Sequence, residues 1–242
     1  DLSGITVIDP TTSDKRDEYV NKMFELRQGK GVTHNGALSK LKGNYNYFGA
    51  LMVQQGDADT MLSGINHHYP ETIRPSLEII GKQNNLSKVH GMYMMVFKKQ
   101  VVFIADATVA IDPTPEELAE TAILVAEKVR QFDIVPKVAM LSFSNFGSSN
   151  EPQALKVKKA TALVKQLDPD LIVDGEIQAN VALDPELTEK QYPFSLLKGD
   201  ANVFIFPDLQ SGNISYKLLD KLGGAEAIGP ILMGMKKPVH VL

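Results

Sequence analysis

Val138-Ala139-Met140-Leu141 runs into Ser142-Phe143-Ser144-Asn145-Phe146-Gly147-Ser148-Ser149, and a helical spacing of apolar residues follows from Gln153 to Gln166. This stretch decides the fold class. Four consecutive apolar residues are too few for a helix and lack the alternation of a half-solvated strand, so they read as a strand buried on both faces. Such a strand requires parallel neighbours, and parallel neighbours require crossover helices. Two more runs of this kind lie downstream, Leu171 to Val173 and Val203 to Phe206, and a helical pattern from Ser215 to Leu222 closes the series. The chain is an α/β protein.

Working back from residue 138, Asp112-Pro113-Thr114-Pro115-Glu116-Glu117 carries a capping Thr, a Pro at the first helical position and acids in the first turn. It predicts a helix through Phe132. Before it, Met92 to Phe97 and Val101 to Ala105 are apolar runs split by Lys98-Lys99-Gln100, which reads as a hairpin. Upstream of Gly91 the strand signal thins. Lys15 to Gln28 predicts a helix stopped at Gly29, and Tyr47 to Gln54 fits either a strand or a buried helix. Thr60 to Ser63 is a short apolar run ending at Gly64, and Glu71 to Ile80 predicts a helix with Pro75 in its first turn. A seam near residue 90 follows, with residues 1–90 as a partial first α/β domain and residues 91–242 as a second. No long Gly/Ser linker joins them.

The 242 residues are 43% hydrophobic and 22% charged, which is the balance of a folded globular chain. A formal charge of −4 argues against nucleic acid as a partner. The absence of cysteine removes disulfides, thiolate metal sites and cysteine nucleophiles. No apolar stretch reaches membrane-spanning length and no secretory signal opens the chain, so it reads as cytoplasmic. Starting at Asp1 without a methionine and ending on the apolar run Pro238 to Leu242, it is expected to be part of a longer polypeptide.

Ligands of α/β sheets collect beyond the carboxyl ends of the strands. The Ser142 to Ser149 loop is therefore a candidate phosphate cradle, with Ser144, Asn145 and Ser148 supplying polar side chains, although a solvated, helix-capping loop is the commoner use of such a composition. Asp174-Gly175-Glu176 and Pro207-Asp208 follow the other two strands as candidate acidic groups or plain turn caps. Adjacent His67 and His68 diverge on either a helix or a strand, which argues against a shared metal. Arg27, Lys30 and Arg74 are candidate anion-binding cations, because Arg offers a planar fork to phosphate, though a lone Arg is more often a surface charge. Walker, dinucleotide-binding and Gly-x-Ser-x-Gly hydrolase motifs are all absent.

Gly56-Asp57-Ala58-Asp59, Thr72-Ile73-Arg74-Pro75, Ile79-Ile80-Gly81, Pro115 to Glu120, Asp174-Gly175-Glu176-Ile177-Gln178 and Ala201 to Lys217 occur in an order that resembles the phosphate acetyltransferase and phosphate butyryltransferase family. The loop 142–149 and the ending Lys237-Pro238-Val239-His240-Val241-Leu242 resemble the version fused to malic enzyme. That resemblance implies two α/β domains with an interdomain cleft, similar to isocitrate and isopropylmalate dehydrogenases, with the first domain truncated here. It implies a homo-oligomer. It also implies an N-terminal malic enzyme domain outside this sequence, holding NADP and a divalent metal, and no cofactor within these residues.

In the active members of the family, coenzyme A attacks acetyl phosphate, and Arg27 and Arg74 match the anion-binding arginines by motif. Three departures stand out. His67-His68-Tyr69 replaces the usual His-Ser-Thr, Asn180 stands where an Asp is usual, and the family's closing Ser-Arg pair would follow the last residue. The expectation is therefore a regulatory, oligomerising module that binds acetyl-CoA through Arg27, Arg74, His67, Ser144, Asn145 and Ser148, with no catalytic residue and no metal site. The alternatives are a working phosphate acetyltransferase and a purely structural dimerisation module.

Overall fold

The computed structural model describes residues 3–106 and 108–241, so Asp1 and the terminal Leu242 of the closing apolar run lie outside it. The chain divides into two units, one running up to Asn84 and including the segment from Met235 on, the other spanning Asn85–Gly234.

In the second unit a six-stranded sheet has the order β5-β4-β6-β3-β2-β7. Its strands are β2 (His90–Val96), β3 (Val101–Ala105), β4 (Lys137–Leu141), β5 (Ile172–Ile177), β6 (Val203–Ile205) and β7 (Glu226–Met233). β3, β6, β4 and β5 are mutually parallel, and β2 pairs antiparallel with both β3 and β7. The period-two alternation of β4 feeds two cores. Val138 and Met140 pack with α5 (Pro115–Arg130) and α6 (Pro152–Leu167), whereas Ala139 and Leu141 pack with α7 (Ala179–Leu183), α8 (Pro185–Gln191) and α9 (Leu209–Lys221). α5 starts as its sequence predicts: the Thr114 hydroxyl accepts from the Glu117 N–H at 3.2 Å, and the Glu117 carboxylate accepts from the Thr114 N–H at 3.0 Å.

β5 continues past Val173 to Ile177. Asp174 and Glu176 are therefore not tip residues but buried members of the strand. Each is held by the fold: Asp174 accepts from Lys165 Nζ at 2.8 Å and from the Ser195 hydroxyl at 3.0 Å. Such partners are what allow a carboxylate to be buried at all.

The first unit consists of α1 (Arg16–Arg27), α2 (His34–Gly43), α3 (Tyr45–Gln55) and α4 (Tyr69–Ile79) with a parallel strand pair, β1 (Met61–Ser63) and β8 (Val239–Val241). The ambiguous run at Tyr47 is a helix, started by Asn44, whose side-chain oxygen accepts from the Asn46 N–H at 2.9 Å. α4 corrects the expected boundary. Pro70 takes the first turn, and Pro75 falls in the helix interior. A proline there has no N–H for the carbonyl of Glu71 four residues back. That carbonyl instead accepts from Asn44 Nδ2 at 3.1 Å and Asn46 Nδ2 at 3.4 Å, so the interior proline leaves no orphan.

Candidate functional site

The candidate residues fall into two groups, Arg27, His67 and Arg74 in the first unit and Ser144, Asn145 and Ser148 in the second.

Arg27 ends α1, where a cation is favoured by the helix dipole. Its side chain is 25% exposed, Nη2 lies 3.7 Å from Glu78 Oε1, and Nε is buried with no hydrogen-bond partner among the described residues. Glu78, on α4, is engaged through its other oxygen, Oε2, which accepts from Lys40 Nζ at 2.9 Å and from the Tyr47 hydroxyl at 2.9 Å. Burial pushes the Glu78 carboxyl up, but the Lys40 and Tyr47 hydrogen bonds and the Lys40 and Arg27 charges outweigh it and hold the group below the usual carboxylate range. Burial also raises the Tyr47 phenol, and its bond to Glu78 raises it further.

Arg74 sits one turn before Glu78 on α4, so the two share a helical face. It is exposed and has no hydrogen-bond or ion-pair partner among the described residues. The Thr72 hydroxyl, in the first turn of the same helix, is buried and also lacks a partner. Glu78 thus meets Arg27 and Lys40, with Arg74 one turn away on the same helix. A half-desolvated guanidinium with an unused N–H, and a second arginine one turn from the carboxylate it meets, are side chains of the type that binds a doubly charged anion such as phosphate. His67 is exposed in the turn before α4, where its N–H donates to the Gly64 carbonyl at 3.1 Å. Lys30 is exposed in the 3-10 turn after α1. Residue-type reasoning missed Glu78, Lys40 and Tyr47; the one visible signal was the spacing of Arg74 and Glu78.

The second group lies on the Ser142 to Ser149 loop at the carboxyl end of β4. Its backbone is not an open cradle. The Ser144 N–H donates to Ser142 Oγ at 3.3 Å, Asn145 to Ser148 Oγ at 3.0 Å and Phe146 to the Glu176 carbonyl at 2.8 Å. Gly147 donates to the Glu176 carboxylate, Ser148 to the Asn145 carbonyl at 3.0 Å and Ser149 to Ser144 Oγ at 3.1 Å. All six successive amides are used within the chain. Ser144 is buried and donates its hydroxyl to Glu176 at 3.2 Å, so the internal carboxylate occupies the place that an external anion would take. Asn145 is half-buried, accepting from the Gln178 N–H at 2.8 Å, and Ser148 is exposed. The arrangement fixes the loop's shape and leaves side chains, not amides, to meet a ligand. Among the described residues no three His, Asp or Glu side chains cluster as a metal site would need, and no helix is long and apolar enough to cross a membrane.

Against known proteins, the family model for phosphate acetyl/butaryl transferase matches residues 1–242. The chain is 40% identical over 241 residues to the phosphate acetyltransferase of Bacillus subtilis, all of the chain matching 74% of that protein. It is 39% identical to the phosphate acetyltransferase of Helicobacter pylori, of which it spans 46%. Among solved structures, the EutD phosphotransacetylase from Staphylococcus aureus aligns with a TM-score of 0.90 at 39% identity, all of the chain covering 74% of that structure. A phosphotransacetylase from Streptococcus pyogenes aligns at 0.91 and 42%, covering 75%.

These relatives overturn the expectation of a non-catalytic regulatory module of malic enzyme, since the proteins that match the whole chain are phosphate acetyltransferases and none of these matches is to a malic enzyme. The physical reason lies in the substitutions on which that expectation rested. Of the replacements His68, Tyr69 and Asn180, His68 and Asn180 are exposed and stand in solvent, while Tyr69 is half-buried at the start of α4. A likeness carried by the whole chain outweighs them. The chain belongs to the phosphate acetyl/butaryl transferase family.

Proposed function

We propose that the chain carries the acyl-transfer site of a phosphate acetyltransferase, interconverting acetyl-CoA and phosphate with coenzyme A and acetyl phosphate. The observation that carries this reading is Arg27, a half-buried guanidinium with an unused donor that meets Glu78 of α4, one turn along from the unpaired Arg74. In the direction of acetyl-CoA formation the coenzyme A sulfur bonds to the acetyl carbonyl carbon, the carbon–oxygen bond to phosphate breaks, and the thiol proton ends on the released phosphate. Arg27 and Arg74 hold the phosphoryl oxygens and stabilise the charge that gathers on them as that bond breaks. Glu78 lies 3.7 Å from Arg27 while its hydrogen bonds go to Lys40 and Tyr47, so no hydrogen bond from Arg27 is spent on it. Acetyl-CoA enters as substrate, not effector. The two-domain layout of the dehydrogenase kind, assembly of like chains and a cytoplasmic location belong to the same proposal.

The test is release of acetyl-CoA from acetyl phosphate and coenzyme A, followed through the thioester absorbance. Arg27→Gln and Arg74→Gln are each expected to lower kcat/KM by about 100-fold, the cost of one donor to a developing charge. Coenzyme A binding without turnover in the unsubstituted chain overturns the proposal.

A further inference from the structure

His90 opens β2 and is wholly buried, whereas the other four of the five histidines, His34, His67, His68 and His240, are exposed. Nothing in the proposed acyl transfer uses it. A buried imidazole needs a partner at each nitrogen, and α5 supplies both. Nε2 lies 2.7 Å from Glu120 Oε1, and Nδ1 lies 2.8 Å from the Thr121 hydroxyl oxygen. Glu120 also accepts from Ser87, three residues before His90: the amide reaches its two oxygens at 3.1 and 2.9 Å, and the hydroxyl reaches Oε1 at 2.7 Å. The stretch from Ser87 to His90, which leads the chain into β2, is thus fastened to the helix at one carboxylate.

These partners decide where the ring protons are. Burial pushes the Glu120 carboxyl up, but the hydrogen bonds from His90 and Ser87 outweigh it and hold the group below the usual carboxylate range, so Glu120 is an acceptor only. Nε2 must therefore carry a proton. The Thr121 hydroxyl has a single proton and gives it to the Glu117 carbonyl, one turn back on α5, at 2.8 Å. Its oxygen is left to accept, which requires an Nδ1–H as well. A ring with both nitrogens protonated is the imidazolium cation. The neighbouring charges are matched elsewhere: Glu117 takes Lys88 Nζ at 2.6 Å and the Thr114 amide at 3.0 Å, and Asp106, just past β3, takes the amides of Thr108, Val109 and Ala110. On the β7 side Met233 stands opposite His90 and brings no charge.

We propose that His90 is a proton-operated latch: as the imidazolium it fastens residues 87–90 to α5, and release of one ring proton to solvent at alkaline pH loosens them. A neutral ring turns a lone pair either on the Glu120 carboxylate or on the Thr121 oxygen, and relieving the second contact takes the hydroxyl away from the Glu117 carbonyl. The direction follows from linkage. An acid form that only the folded chain favours adds stability at low and neutral pH and loses it as the pH rises, while the Glu120 half of the pair is lost as the pH falls below 4.5. The latch holds between those limits.

Long-range proton–nitrogen correlation on the 242-residue chain with 15N-labelled histidine tests the proposal at pH 8, where a free imidazole is neutral. The buried ring is expected to show two nitrogens of nearly equal shift, each bearing a slowly exchanging proton. In Glu120→Gln the same ring is expected to show one bare nitrogen at that pH. In thermal unfolding, His90→Gln is expected to melt about 4 °C or more below the unsubstituted chain at pH 6, and that gap is expected to shrink at least two-fold at pH 9.5. A bare nitrogen on the buried ring of the unsubstituted chain at pH 8 overturns the proposal, and this measurement stands even if His90→Gln does not fold. So does an imidazolium that persists in Glu120→Gln, or a melting gap equal at the two pH values.

Discussion

Glu78 shows how much one side chain is asked to do. Its carboxyl is buried, which disfavours ionisation, yet Lys40, Tyr47 and Arg27 together keep it ionised below the usual range. A carboxyl lowered by folding adds stability above its ordinary value of 4.5 and loses that contribution as the pH falls below 4.5 through the folded value. Glu78→Gln is therefore expected to lower stability at pH 7 and to narrow the difference between pH 7 and pH 3, as read by urea unfolding at each pH. An equal loss at both pH values excludes the role. Gly175 makes a steric demand instead. A Cβ there would stand 2.6 Å from Met140 Cβ and 2.7 Å from the Met140 carbonyl, on the strand to which β5 is hydrogen-bonded. Gly175→Ala is expected to cost about 2 kcal/mol in urea unfolding, the range of overpacked cores, and a cost below about 0.5 kcal/mol removes the argument. The two cases differ in legibility. Asp174-Gly175-Glu176 stands out in the sequence as a motif, but the Glu78 partners come from α1, α2 and α3 and have no shared spacing with it.

Elements follow the sequence pattern where local chemistry settles them and depart from it where a distant partner does. The capping box of α5 is complete within four residues and placed that helix correctly. α4 is the opposite case. Pro75 is expected near a helix start, because an interior proline strands a carbonyl, and only Asn44 and Asn46, from before and inside α3, make the interior position tolerable. Asn46 is buried, and its side-chain oxygen accepts from the Ser63 hydroxyl at 2.6 Å, so it links α4 to β1. Asn46→Leu is expected to cost about 2 kcal/mol by leaving buried polar groups underpaired. Part of that cost should return in the Asn46→Leu, Pro75→Ala double variant, where the new N–H can serve the Glu71 carbonyl. Strict additivity in that cycle, measured by denaturant unfolding, rejects the explanation. β5 runs beyond its apolar residues to Ile177 for a similar reason. Asp and Glu break an apolar run by composition, but Lys165, Ser195 and the 142–149 loop pair them inside the sheet.

For the whole molecule, a ligand that binds only the folded chain must raise its stability by mass action. Coenzyme A at about a hundred times its dissociation constant is expected to add about 2.7 kcal/mol, seen as a raised melting temperature, and phosphate is expected to add less in the Arg27→Gln variant than in the unsubstituted chain. An unmoved melting temperature at saturating coenzyme A counts against the proposed acyl transfer. The α/β class, the parallel strand set and the hairpin at Lys98-Lys99 were determined by sequence alone, because each rests on contiguous residues whose period or capping is local. Only the tertiary structure decided that the serine loop at 142–149 spends its amides on Glu176, that Arg27 keeps a donor free, and that His90 is buried against Glu120 and Thr121. Those outcomes depend on residues that are distant in sequence and brought together by packing. Burial and hydrogen-bond satisfaction are properties of that neighbourhood, and no residue carries them on its own.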